Sequence, residues 1–203
     1  MRVYAGQSHE EREEARRTRL VDAAVQLFGV RGFDETTVRE ICARSSVSTR
    51  DFYRLFTDKE DLLIAIFELS YTRHLQALSR GLAAVPPDAD VLTRIAAAGV
   101  ATAEDLADHP LLARVAFEQS TGISRTVEAS RDRMRAEAVE MTLHMTRDLV
   151  DNGLITAENH RSAAMAVVGA FEQLKRDWVK NPIPPQEFAT RLITILSRLL
   201  GSD

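Results

Sequence analysis

Apolar residues recur along this chain at three- and four-residue steps, the spacing of one helical face, and no stretch alternates in the two-residue rhythm of a strand. From Glu10 to Val30 the face is Leu20, Ala23, Ala24, Leu27 and Phe28; Gly32 ends that helix as a C′ glycine with Phe33 tucked behind it. Between Thr37 and Phe56 two short helices are predicted. Thr37 is followed three residues on by Glu40, and Ser48 three residues on by Asp51, both capping patterns in which a hydroxyl satisfies an orphan N–H. Starts that close leave room for about two turns and a tight bend, the spacing of a helix-turn-helix. Val38, Ile41 and Cys42 then face inward from the first helix, Val47 pins the bend, and Phe52 with Phe56 buries one side of the second. Thr49, Arg50, Tyr53 and Arg54 are left outside.

Asp58 caps a longer helix to about Gly81, with Leu62, Leu63, Ile66, Phe67, Leu69, Leu75, Leu78 and Leu82 as its apolar stripe. Val85-Pro86-Pro87-Asp88 breaks the pattern. Helices are read over Val91 to Ala107, Pro110 to Ser120, Ser124 to Asp151 and Thr156 to Val179, with stops at Asn152-Gly153 and Asn181-Pro182. Pro184-Pro185 introduces a last helix to Leu200, closed by Gly201. The expected fold is all-α with about nine helices: a helix-turn-helix domain over residues 1–57, of which 1–9 form a disordered arm, and a helical regulatory and dimerisation domain over 58–203.

Composition narrows the function. With 203 residues, 45% of them apolar, the chain can fill a real core. The net charge of −4 argues at first against nucleic acid, but the first sixty residues hold 11 Lys/Arg and 11 Asp/Glu, so the excess acid lies beyond them. A neutral head binds DNA if its cations share a face, because local charge displaces counterions. Arg17 and Arg19 are candidates for backbone contact beside the reading helix, whereas Arg12 and Arg16 are balanced by nearby glutamates. Lys59 is a candidate phosphate clamp at a helix N-terminus. A single cysteine rules out an internal disulfide framework, and without a membrane span or secretory signal the expected location is the cytoplasm.

The segment SVSTRDFYRLFTDKEDLL, preceded by TTVREICARS, resembles the DNA-binding domain of TetR-type bacterial transcriptional regulators. Their pattern is roughly Thr-x-x-x-Ile-Ala, Gly-Val-Ser, Phe/Leu-Tyr-x-x-Phe and Lys-x-x-Leu, and the match runs from about Arg17 to Leu63. Ser46 stands where the family has glycine at the bend, so a left-handed residue with some strain is expected there. Arg50 and Asp51 replace the commoner Gly and Thr, so no relative's operator carries over. The resemblance implies a base or phosphate contact at Arg39 and phosphate contacts at Thr37, Ser48, Tyr53 and Lys59. It also implies a homodimer, and a helix after Asp58 that ties the head to the body.

From the chemistry of the side chains, Arg50 and Thr49 are the candidates for base contact and Arg54 for phosphate. Asp51 either accepts from a cytosine amine or, as the stronger reading, steadies Ser48 and the neighbouring arginines. Phe117, Met141, His144, Met145, Phe171, Leu174 and Trp178 are candidates to line a ligand pocket, the alternative being ordinary core. Glu137, Glu140 and His144 share a helical face without the cluster a metal site needs, so surface ion pairing is the better reading. The other histidines, His74 and His160 among them, are scattered and give no site. Ala163, Val167, Ala170, Leu192, Ile195, Leu196 and Leu199 are expected to build a dimer interface from the last two helices.

The reading that follows is a sequence-specific DNA-binding regulator, a homodimer on double-stranded DNA at a palindromic operator, and a repressor released by a small, largely apolar effector. An architectural DNA binder without effector is the alternative. An enzyme is disfavoured, since no nucleophile-base pair and no Gly-rich phosphate loop occur, and no cofactor is expected.

Overall fold

Each early helix begins where a hydroxyl or carboxylate answers its free N–H groups. The computed structural model describes residues 8–86, 88–118, 122–151 and 156–199. Ser8 and Glu11 form a reciprocal capping box for α1 (His9–Arg31), and Thr37 and Glu40 do the same for α2 (Val38–Ser45). Ser48 caps α3 (Thr49–Leu55), and Asp58 caps α4 (Lys59–Ala83). The chain continues through α5 (Val91–Asp108), α6 (Pro110–Phe117), α7 (Arg125–Met145), α8 (Arg147–Asp151), α9 (Ala157–Lys180) and α10 (Pro185–Leu199), and the described residues contain no strand. Gly32 ends α1 at φ 97°, which an L side chain rarely adopts.

Two expectations need correction. The arm expected to be disordered over 1–9 is helical at His9 and ordered into its cap at Ser8; residues 1–7 lie outside the described ones, as do Asn152-Gly153, Leu200 and Gly201. The helix expected to run unbroken from Ser124 to Asp151 is interrupted at Thr146. There the hydroxyl donates to the Thr142 carbonyl at 2.7 Å and lies 2.9 Å from His160 Nε2. A threonine that bonds back to the preceding turn bends a helix.

The head's core joins α1 to α4 through the fully buried Leu20, Phe28, Ile41, Phe52, Phe56, Leu62 and Ile66. Burying each such side chain contributes about 1.5 to 3 kcal/mol. The same cluster takes in Leu112, Val115 and Ala116 from α6 and Val127 from α7, so apolar packing runs unbroken past residue 57 into the body. A second cluster joins α5, α6, α9 and α10 around Leu106, Trp178, Phe188, Leu192 and Leu196. Close approach of α4 to α5 depends on Gly81, where a Cβ would lie 2.5 Å from the Ala97 carbonyl oxygen.

Candidate nucleic-acid interface and ligand cavity

The bend between α2 and α3 sets the direction of α3. Ser46 takes the left-handed conformation at φ 54°, ψ 38°, as the glycine position of this motif demands, and its N–H closes α2 onto the Cys42 carbonyl. Val47 is buried behind the bend, and Phe52 and Phe56 seal the inner side of α3. The outer side carries Thr49, Arg50, Tyr53 and Arg54, all exposed, with Tyr53 edge-on to Phe52 at 5.2 Å. Among the described residues Arg39 and Arg50 make no hydrogen bond or ion pair. Thr49 also reaches back to the Cys42 thiol, whose pKa burial nevertheless raises.

The other head residues are partly engaged within the chain. Arg54 meets Glu13 on α1 and Asp51 on its own helix, each at 3.2 Å. Asp51 accepts from the Ser48 hydroxyl at 2.8 Å and holds the cap at its own N–H, so its carboxyl falls below the usual range, chiefly through that hydroxyl. Thr37 Oγ1 donates to Glu40 at 2.8 Å, and Arg31 pairs with the same carboxylate at 2.6 Å. The Thr37 backbone N–H first, then Arg31, pulls the Glu40 pKa down to about 2. Arg17 stacks over the Phe56 ring at 4.7 Å, and Arg19 is exposed. Lys59 points into the head. Its ammonium donates to the carbonyls of Phe33 at 2.8 Å and Thr36 at 2.9 Å and sits 4.1 Å from the Phe33 ring centroid, leaving one N–H for any other partner.

In the body, α4, α5, α6, α7, α9 and α10 surround a cavity of about 250 Å³. Of the pocket candidates, Phe117, Met141, Met145 and Phe171 line it, and His144, Leu174 and Trp178 do not. His144 is exposed on α7, Leu174 is core, and the Trp178 indole donates to the Ile183 carbonyl at 3.0 Å. The imidazoles at the cavity are His74 and His160 instead. His74 is part-exposed as a residue, yet its Nδ1 is sealed and unpartnered, and burial holds its pKa well below the ordinary 6.5. Lys175 also lines the cavity at 5% exposure, and desolvation pushes its pKa down to about 7. A lysine between Phe171 and Trp178, in an apolar stripe of α9, was the sign in the sequence that something other than core lay there.

The residues expected at a dimer interface divide. Leu192 and Leu196 are 0% and 1% exposed inside this single chain, where α10 packs on α5, so they are a correction: interior core, not an outer face. Ala163 and Val167 line the cavity, and Ala170 packs against the second cluster. Ile195 does face outward at 37% exposure, as does Met165 on α9 at 58%. The Leu199 side chain lies outside the described ones.

Residues 20–66 match the family model described as bacterial regulatory proteins, tetR family. Over 50 residues the chain is 40% identical to the HTH-type transcriptional regulator HbdR of Aromatoleum sp. (strain CIB), a stretch covering 25% of this chain and 22% of that regulator. Two solved structures share the fold across nearly the whole chain. A TetR-family chain from Syntrophomonas wolfei has a TM-score of 0.78 at 20% identity, covering 93% of this chain and 96% of that one. The transcriptional regulator FadR from Bacillus subtilis, solved in complex with stearoyl-CoA, has a TM-score of 0.73 at 19% identity, covering 88% and 96%. Residues 20–66 therefore carry a tetR-family regulatory head, and it sits on an all-helical body whose fold those solved structures share.

Proposed function

We propose that the chain is a homodimeric transcriptional repressor of the cytoplasm that reads a palindromic operator with α3 and releases it when a small, largely apolar effector fills the body's cavity. The observation that carries this reading is the two-sidedness of α3: Phe52 is fully buried while Thr49, Arg50 and Tyr53 stand in solvent. A helix so anchored presents base-reading side chains without a further ordering cost. Arg50 and Thr49 are assigned to base edges and Arg39 to a base or phosphate; Arg17, Arg19, Thr37, Ser48, Tyr53 and Arg54 are assigned to phosphates. Lys59 braces the head first, with one N–H left for a phosphate.

Release is supported by the course of α4, which belongs to two neighbourhoods. Leu62, Leu63 and Ile66 sit in the head's core, while Leu75, Leu78 and Leu82 face the cavity about two and a half to four and a half turns farther on. An effector that fits one position of α4 better than another therefore shifts the head, by no more than its difference in affinity for the two. The head, 1–57, and the regulatory body, 58–203, are taken as the moving parts. The FadR relative holding stearoyl-CoA supports an effector site in such a body. Met165 and Ile195, exposed on α9 and α10, support a helical dimer face that would set two reading helices about 34 to 36 Å apart.

The test is selection of bound duplexes from a random pool, sedimentation of the complex, and a metabolite screen for release. A palindromic winner bound by two chains and freed by an apolar metabolite supports the reading. Binding without sequence preference or release would leave an architectural protein.

A further inference from the structure

The cavity is apolar, but its charge is lopsided. Arg94, Arg131, Arg135 and Lys175 line it against one carboxylate, Glu172, and that carboxylate is already held by Arg135 at 3.0 Å. Lys175 is the most enclosed of these cations. Among the described residues its ammonium has no hydrogen bond or ion pair, only the faces of Phe117 and Phe171 at 5.5 and 5.7 Å. A buried ammonium is costly without an anion beside it. The groups that face it are few: His74 from α4, Asp105 and Arg94 from α5, Phe117 alone from α6, Arg131 and Arg135 from α7, and Glu172 from its own helix. Asp105 is committed to Arg73 at 2.8 Å. His74 cannot relieve the charge, since desolvation keeps its ring neutral.

Resting on the reading of this cavity as the effector site, we infer that its ligand is an apolar chain ending in a carboxylate, with the carboxylate against Lys175 and the tail between α4, α7 and α9. The cavity volume of about 250 Å³ limits the size. At roughly 25 to 30 Å³ for each water-sized group it holds about eight to ten non-hydrogen atoms. Binding the anion restores the charged amine. Above neutral pH, where the free protein's Lys175 is largely neutral, each ligand enters with one proton taken from solvent.

The experiment compares octanoate with 1-octanol, a neutral chain of similar length, by calorimetry on the full chain and on Lys175→Met. Octanoate is expected to bind at least tenfold tighter than octanol to the native chain, and at equal strength or weaker to Lys175→Met. At pH 8 the heat of octanoate binding should vary with the buffer's ionisation enthalpy by close to one proton, in the native chain only. A merely structural lysine would not move that proton count. Equal binding of the two probes, or a preference that survives in Lys175→Met, overturns the carboxylate assignment and leaves the effector cavity standing. Failure of both probes to bind also overturns the ligand class, and the release screen then decides separately whether the cavity takes an effector at all. Exchanging a buried ammonium for a thioether of similar length should not unfold the chain, and melting of the variant checks this.

Discussion

The Ser124 hydroxyl, which caps α7, donates a 2.6 Å hydrogen bond to Glu60 in the first turn of α4, and so ties a cavity-lining helix of the body to the helix that follows the head. Gly29 of α1 meets Leu111 of α6 so closely that a Cβ would lie 3.0 Å from the leucine Cβ and Cδ2. The start of α4 is therefore held to α7 by a polar contact, and α1 is held to α6 by a steric one, alongside the apolar core they share.

Gly29→Val should lower stability by about 1 to 3 kcal/mol, the usual cost of overpacking a fitted contact. Urea unfolding measures it. A variant as stable as the native chain would mean that α6 yields and that the contact transmits little.

Lys59→Met should destabilise the head by about 2 to 4 kcal/mol, because two carbonyls lose a charged donor. The same unfolding experiment, run beside a salt titration of DNA binding, separates bracing from phosphate contact. Full stability with a salt slope reduced by about one would restore the phosphate role.

Arg50→Ala should cost about 1 to 3 kcal/mol of operator binding and relax one base position, whereas Tyr53→Phe should weaken all duplexes alike. Competition binding against single-base operator variants reads both. Uniform weakening by Arg50→Ala would remove it from the base contacts.

Stability should rise with pH between about 7 and 10.5 because of Lys175, whose pKa falls from 10.5 to about 7 on burial. Within that window the unfolded chain holds a proton that the folded chain lacks, so raising pH favours folding, by at most about 4 to 5 kcal/mol. Below the window both states are charged and the slope ends. Comparing unfolding at pH 7 and pH 10 in the native chain and in Lys175→Met isolates the effect. Identical slopes in both would mean that the ammonium is better solvated than its burial implies.

The head was legible because its determinants are local. Thr37 with Glu40, Ser48 with Asp51 and the bend at Ser46 lie within a few residues of the groups they satisfy, and the structure repeats each of them. What could not be read depends on partners far along the chain. Lys59 finds its carbonyls 23 and 26 residues away. Leu192 and Leu196 are interior because α5 lies against α10, a pairing no periodicity encodes. His144 and His74 look alike in sequence, and only the packing of α4 against α9 decides which one reaches the cavity.

The central claim is that α3 reads DNA sequence. Fluorescence anisotropy of the native chain at physiological salt, on the duplex recovered from a random pool and on its scrambled counterpart, tests it most directly. At least a thousandfold preference for the recovered duplex is expected, the lower end for specific regulators, and equal affinity for the two duplexes would contradict it.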